Sequence, residues 1–156
     1  MSVAGWVLGV AATSAAVFSG AMFVFSAFVM PALGDLAPRD GVLAMQAMNV
    51  RAPNSLLLVP MGGVTLGALA VIVMALVGNG PDRPLRIVGA VLALASIVIT
   101  GVGNIPLNNR LADLDAQVAT AADWQGFAGP WLVWNAARAL AGLAGAVLLA
   151  VAAARA

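Results

Sequence analysis

The chain alternates four long apolar stretches with short polar connections. Residues 1–34, 52–81 and 87–109 contain no charged side chain, and residues 124–154 contain one, Arg138. A helix needs about 20 apolar residues to cross a hydrocarbon core about 30 Å thick, so each stretch can hold one transmembrane span. The pattern predicts an all-α integral membrane protein, a four-transmembrane-helix bundle forming a single domain. Its spans are expected at about residues 3–30, 53–77, 85–105 and 130–154.

Prolines indicate where these spans begin, end or bend. A proline lacks the backbone N–H and has a fixed φ, so it suits the first turn of a helix and breaks or kinks its interior. We therefore expect Pro31 to stop the first span and Pro53 to begin the second. Pro60 should kink the second span, Pro106 should end or break the third, and Pro130 should be the first helical residue of the fourth.

The connections between spans one and two and between spans three and four each contain an amphipathic segment. In the first, Asp40 can cap a short helix that runs to Val50. One face of this helix combines apolar and polar side chains: Val42, Met45, Gln46 and Asn49. In the second connection, residues 111–127 place apolar side chains on one face. We expect two short interfacial helices, the first lying at the membrane surface or dipping toward the bundle.

Composition supports a membrane protein and excludes several functions. Hydrophobic residues make up 63% of the 156 and charged residues 8%, whereas a soluble domain has about 25% charged residues. The seven cations are single arginines and the net charge is +1, so nucleic-acid binding has no support. The chain contains no Cys, His, Tyr, Glu or Lys. It therefore offers no thiolate or imidazole metal site, and we expect neither a metal nor another cofactor.

Arg138 is the most unusual residue in the pattern. With Pro130 as the first helical residue, Arg138 lies about 12 Å along the fourth span, near the middle of the hydrocarbon core. A cation there costs about 3 kcal/mol, so we expect it to face the protein interior and to have an electronegative partner. Trp131, Trp134 and Asn135 share its helix face. Snorkelling of Arg138, and an aromatic belt for the two tryptophans, are the simpler alternatives.

Four spans place the first and third connections on the same side of the membrane. Polar and aromatic residues from the connections and span ends should therefore meet at one end of the bundle, above Arg138. The residues expected there are Met30, Pro31, Met45, Gln46, Asn49, Pro53, Asn54, Asn104, Asn108, Asn109, Trp131 and Asn135. Such a set predicts a pocket for a flat, electron-rich molecule. Helix capping is the alternative role for the three asparagines at the end of the third span.

Several motifs of this sequence resemble the anthrone oxygenase-like family of small four-helix membrane proteins. They are Met30-Pro31-Ala32-Leu33, Met45-Gln46-Ala47-Met48-Asn49, Pro53-Asn54, Asn104-Ile105-Pro106-Leu107-Asn108-Asn109-Arg110-Leu111 and Trp131-Leu132-Val133-Trp134-Asn135-Ala136-Ala137-Arg138. Named fungal members oxidise anthrones to anthraquinones with O2 and no cofactor, whereas most bacterial members have no assigned reaction. The positions that the resemblance carries over are Asn104, Pro106, Asn108, Trp134, Asn135 and Arg138.

The resemblance implies a cofactor-independent membrane oxygenase that acts with O2 on a hydrophobic anthrone- or hydroquinone-like aromatic. Arg138, Asn135 and Asn108 are then the expected catalytic residues. The expected substrate-binding residues are Asn104, Asn49, Gln46, Met45, Trp131, Trp134 and Asn109. The base is either an aspartate such as Asp35 folded over the pocket or water. The alternative is a non-catalytic membrane protein, which binds a lipid or quinone or serves as an assembly subunit.

The expected location is the cell membrane, with several passes and possible homo-oligomers. The short connection that carries Arg83 and Arg86 favours both termini on the inside, by the excess of cations in cytoplasmic loops. The N-terminal stretch lacks a basic n-region and a clear small-residue cleavage site, so we expect it to remain as a span.

Overall fold

The computed structural model describes residues 2–78 and 82–156, and this part of the chain is helical apart from short turns. It has seven α-helices: α1 Val3–Val24, α2 Met30–Gly34, α3 Pro38–Arg51, α4 Leu58–Val77, α5 Arg83–Ile99, α6 Ile105–Ala112 and α7 Ala121–Ala154. Two π turns (Phe25–Val29 and Thr100–Asn104) join α1 to α2 and α5 to α6. Two 3₁₀ turns (Ala52–Asn54 and Ala116–Val118) lie in the polar connections.

Four helical segments are long and apolar enough to cross a membrane. They are Val3–Gly34, Leu58–Val77, Arg83–Ala112 and Ala121–Ala154. Leucine, valine and tryptophan side chains remain exposed along them, as expected for surfaces that face lipid rather than water. The predicted all-α fold with four spans is confirmed, and these helices indicate a multi-pass membrane protein.

The four long helices form a closed ring. α1 packs on α4 and α7, and α5 packs on the same two helices. At one end, Ser2 Oγ donates to the carbonyl oxygen of Ala156 at 3.3 Å, and Arg155 pairs with Asp82 at 3.1 Å. The start of α1, the end of α7 and the start of α5 therefore meet there. The two polar connections consequently lie together at the opposite end, as the span count predicts.

The first and third spans continue beyond their predicted ends. Pro31 and Pro106 do not stop them, because each proline lies in the first turn of a helical piece that follows a π turn. In a π turn the N–H donates to the carbonyl five residues back rather than four. Met30 N–H thus donates to Phe25 O, and the second π turn repeats this pattern. Because each π turn shifts the helical register before the proline, the helix continues past Pro31 and past Pro106 without a break.

The fourth span begins earlier than predicted, at Ala121 rather than at Pro130. Thr120 and Asp123 form a capping box, in which each side chain accepts from the other residue's backbone N–H. This cap satisfies donors at the helix start. Pro130 then lies inside the helix on its exposed side. The predicted interfacial helix over residues 111–127 is also wrong, because those residues are shared among α6, a 3₁₀ turn and α7.

A short helix does connect the first two spans, as predicted, but it packs inward. α3 starts at Pro38, with Ala37 rather than Asp40 as its N-cap. Val42 and Met45 are almost fully buried, whereas Gln46 and Asn49 are half-buried. The face predicted from the sequence is thus the face that contacts the bundle. α3 packs against α2, α6 and α7 at this end of the bundle, which agrees with the expectation that it dips toward the bundle.

The second span begins at Leu58, later than the predicted start near Pro53. The residues before it form a 3₁₀ turn and then an extended residue, Ser55, whose Oγ accepts from Leu57 N–H at 3.2 Å. Pro60 consequently falls in the first turn of α4. A proline in the first turn removes a donor that has no helical partner there, so the predicted kink has no cause.

Buried apolar side chains form two clusters. The larger one joins α1, α4, α5 and α7 through small residues and a few large ones such as Phe18 and Leu149. The second lies at the end with the polar connections and joins α3 and α6 to aromatic residues of α7, including Trp124, Phe127 and Trp131. Arg138 follows Trp131 on α7 and precedes the first α7 residue of the larger cluster, Ala139. The cation therefore lies where the two clusters meet.

We predict that Gly145→Ala destabilises the bundle. A Cβ at this position would lie 2.6 Å from the backbone nitrogen of Ala93 and 2.8 Å from the carbonyl oxygen of Gly89. Backbone atoms cannot yield as a flexible side chain can, so we expect a loss of about 1–3 kcal/mol. Unfolding in mixed detergent micelles measures it. Gly20→Ala is the matched control, because its Cβ would meet nothing within 4 Å; an equal loss in both variants would contradict the packing explanation.

Candidate functional site

A cavity of about 730 Å³ lies at the end of the bundle that holds the polar connections. Seven of the residues predicted for the site line it: Met45, Gln46, Asn49, Asn108, Asn109, Trp131 and Arg138. The other walls are mainly apolar and include Phe18, Met22, Phe25, Leu57 and Met61. The predicted convergence of the connections and span ends therefore produces a large cavity with an apolar wall and one cation.

Arg138 is held in place by neutral groups. Its Nε and Nη2 donate to Asn135 Oδ1 at 2.9 and 2.6 Å, and its Nη1 donates to Thr100 Oγ1 at 3.3 Å. The guanidinium carbon lies 5.3 Å from the centre of the Trp131 ring, within cation–π distance. Only 6% of the residue's surface is exposed. The charge is thus buried and oriented, with three of its five N–H bonds occupied.

Asn135 connects this cation to the first span. Its oxygen accepts from Arg138, and its Nδ2 donates to Met22 O and to Ser26 Oγ, both at 2.7 Å. Met22 O belongs to the turn of α1 that precedes the first π turn, where α-helical pairing changes. Asn135 is fully buried and absent from the cavity wall. It therefore orients Arg138 and does not itself reach the cavity.

No carboxylate neutralises Arg138 in the described part of the chain. There, the one ion pair within 4.0 Å joins Arg155 to Asp82, at the other end of the bundle. None of the aspartates in residues 2–78 and 82–156 lines the cavity. A buried cation without an opposite charge is costly. The geometry therefore favours an anionic or strongly electron-rich ligand atom next to the guanidinium.

Asn108 faces the cavity from α6. Its Oδ1 accepts from Trp131 Nε1 at 2.8 Å. Asn108 therefore bonds the tryptophan that lies against the guanidinium and has no hydrogen bond to the guanidinium itself. Asn108 and Arg138 nevertheless line the same cavity.

Two of the predicted binding residues, Asn104 and Gln46, form hydrogen bonds that connect parts of the bundle. Asn104 is fully buried, does not line the cavity and donates to Trp131 O at 3.1 Å. Gln46 Nε2 donates to Leu111 O at 2.8 Å and to Leu114 O at 3.0 Å, at the C-terminal end of α6. Carbonyls at a helix end lack helical partners, so Gln46 ties α3 to α6. Its side chain also reaches the cavity wall.

The remaining predicted residues differ in their surroundings. Asn49 lines the cavity, and its Nδ2 is covered but has no hydrogen-bond partner in the described structure. Asn109 is an exposed residue at the cavity wall. Trp134 lies outside the cavity: it is 40% exposed, and its ring covers the Cα side of Gly103. Trp134 shares the helix face of Arg138 only roughly, so its ring packs on the second π turn instead.

The sequence interpretation did not assign a role in the site to Thr100 or to the π turns. Thr100 begins the second π turn and accepts from Arg138, while its hydroxyl donates to Ser96 O at 2.8 Å. The signal available in the sequence is the spacing of Thr100 and Asn104, four residues apart on one helix face. π turns are frequent at functional sites, and here the two lie on either side of α7.

Fold and site together define a multi-pass helical membrane protein with a buried, uncompensated arginine at the wall of an apolar cavity. The model of the anthrone oxygenase family matches residues 56–148, more than half of the chain. The chain belongs to the anthrone oxygenase family. The match includes Arg138 and the residues that bond it from the second π turn and α7, whereas α1 and α3 precede the matched range. No curated protein and no solved structure matches the chain.

We predict that Asn135→Ala lowers the free energy of unfolding by more than the loss of a helix N-cap residue does. The change leaves two N–H groups of Arg138 without their acceptor and removes the donor that Met22 O and Ser26 Oγ share. Each buried unpaired group costs about 1–3 kcal/mol. We expect a loss of at least about 2 kcal/mol in detergent unfolding. Asn109→Ala, at an exposed position, should change stability by less than about 0.5 kcal/mol. Equal effects would show that the buried amide is not needed to hold the cation.

Proposed function

We propose that the protein is a cofactor-independent membrane oxygenase, which uses O2 to oxidise a hydrophobic anthrone- or hydroquinone-like aromatic. One observation carries the proposal: the guanidinium of Arg138 faces a large apolar cavity without a carboxylate partner. Membership of the anthrone oxygenase family supports an oxygenase role. A flat aromatic anion would fit in the cavity and supply the missing negative charge.

The reaction begins with loss of a proton from the substrate. An anthrone has an acidic methylene, and its deprotonation gives an enolate whose charge is concentrated on oxygen. Arg138 has two N–H bonds without a partner in the described structure, on Nη1 and Nη2. A guanidinium fixed in a site of low polarity stabilises such an oxygen strongly, because little reorganisation is needed. Arg138 is thus the proposed catalytic residue, and Asn135 and Thr100 position it.

Water is the proposed acceptor of this proton. The sequence contains no His, Glu, Tyr or Lys. Asp35, the aspartate considered from the sequence, is exposed and does not line the cavity. Stabilisation of the enolate by Arg138 lowers the free energy of ionisation, so a strong base in the protein is not required. Asn108, Asn49 and Asn109 are the proposed polar contacts to the substrate, with Gln46, Met45 and Trp131 as further wall residues.

The enolate then passes electrons to O2 directly. Carbon–oxygen bond formation gives a peroxide, and loss of water from the hydroperoxide gives the quinone; one substrate and one O2 become one quinone and one water. Apolar walls favour both the aromatic substrate and O2. We propose that both enter from the bilayer, that the protein resides in the cell membrane with both termini inside, and that the cavity opens toward the outside.

We predict that Arg138→Lys lowers the turnover rate by about 10²–10³, the range for loss of an oxyanion-hole donor. Lysine keeps the charge but cannot bond Asn135, Thr100 and a ligand in the planar geometry of a guanidinium. The measurement is O2 consumption by purified protein with an anthrone, normalised to folded protein. Arg155→Lys is the matched control, since that arginine is exposed at the other end. Full turnover by Arg138→Lys would remove the geometric role of the guanidinium.

We also predict that exhaustive chelation leaves this O2 consumption unchanged. In the part of the chain that the structure describes, no group of three or more His, Cys, Asp or Glu side chains is placed to hold a metal ion. The check is turnover before and after treatment with a chelator, together with elemental analysis of the active protein. Loss of activity that returns only when one metal is added back would contradict a cofactor-independent reaction.

A further inference from the structure

Two amide groups in the cavity have donors without partners. Trp131 Nε1 can only donate, so the group of Asn108 that faces it must be the oxygen, which leaves the Asn108 nitrogen free to donate elsewhere. No acceptor in the described structure bonds that nitrogen. Asn49 Nδ2 is covered and also lacks a partner. Both residues line the cavity, so a ligand there can supply an acceptor to the Asn108 nitrogen directly and to the Asn49 nitrogen after a rotation of its side chain.

The two amides and the cation belong to different helices at the cavity wall. Asn49 is on α3 and Asn108 is on α6, whereas Arg138 is on α7. An amide N–H₂ is a neutral donor, which suits a carbonyl or peroxide oxygen rather than requiring a full anion. The cavity therefore contains a charged donor group for one oxygen and neutral donors for a second oxygen.

Trp131 links the two donor groups. The guanidinium of Arg138 lies over its ring, at 5.3 Å from the ring centre, and its N–H bonds Asn108 at 2.8 Å. The same residue's carbonyl accepts from the buried Asn104. Because one rigid indole contacts both Arg138 and Asn108, it fixes their separation. A ligand with oxygens on opposite sides of an aromatic ring is the kind of molecule that could use both donor groups.

We propose that Asn49 and Asn108 form a second oxygen subsite, and that Trp131 is the residue that positions it. This inference rests on the proposed oxygenase function. The enolate oxygen bonds Arg138, and O2 forms its bond to the ring carbon on the opposite side. The peroxide takes up a proton from water; loss of the remaining hydrogen of that carbon and of hydroxide then breaks the O–O bond and leaves a carbonyl and water. The two amides donate to the oxygen that stays on carbon.

The subsite makes the protein distinguish a ligand with two opposed oxygens from one with a single oxygen. Anthraquinone has the second oxygen and anthrone does not. We expect the wild-type protein in lipid nanodiscs, under anaerobic conditions, to bind anthraquinone about tenfold more tightly than anthrone, as one or two added hydrogen bonds would give. Equilibrium dialysis against protein-free nanodiscs corrects for partition into lipid.

Three variants test the residues. Asn49→Leu and Asn108→Leu should each lose most of the preference for anthraquinone, by lowering its affinity more than that of anthrone, because anthrone lacks the second oxygen whose donor is removed. Trp131→Phe keeps a ring beside Arg138 but removes the N–H, and it should reduce the preference in the same way. Asn54→Leu and Trp6→Phe are matched controls at exposed positions away from the cavity wall.

The outcomes separate this inference from the proposed function. A preference that survives in the asparagine variants, or an equal loss of affinity for both ligands, overturns the second subsite. So does a wild-type protein that consumes O2 with anthrone but binds the two ligands equally, while the oxygenase function stands. A wild-type protein that binds neither ligand and consumes no O2 with anthrone overturns both.

Discussion

The structure of the site depends on the bond between Arg138 and Asn135. A guanidinium buried at the junction of two apolar clusters would be expelled or neutralised if nothing fixed it. The oxygen of Asn135 accepts from two guanidinium N–H groups, and its nitrogen donates to the backbone of the first span. One neutral side chain therefore binds the cation to the bundle without cancelling its charge. Because the side chain that bonds the guanidinium is an amide and not a carboxylate, the positive charge remains available to a ligand in the cavity.

The two π turns lie where their spans pass Arg138. Asn135 donates to Met22 O, in the turn of α1 before the first π turn, and Arg138 donates to Thr100 Oγ1, in the first residue of the second π turn. A π turn shifts the helical positions that follow it. Both spans therefore contact the Arg138 region of α7 next to a change of register.

The sequence predicts the larger features well because apolar length and span count determine them. Four spans bring both polar connections to one end, and the inward face of α3 follows from periodicity. Pro130 predicts the wrong start for the fourth span, because the capping box at Thr120 stabilises the helix by more than one lost hydrogen bond on an exposed face destabilises it. The site is predicted in part: Arg138 and Asn108 reach the cavity, whereas Trp134 does not. Which amide atom bonds which partner depends on side-chain geometry, which spacing along the chain leaves undetermined.

The unmatched charge of Arg138 connects ligand binding to folding. A protein that keeps a buried cation without a counter-charge is less stable empty than occupied, because an anionic ligand removes that cost in the native state alone. Stabilisation then grows with the logarithm of ligand concentration, by about 2.7 kcal/mol at one hundred times Kd. The membrane protein extracted without its ligand is the least stable form. Natural ligands would therefore raise the free energy of unfolding whether or not they react.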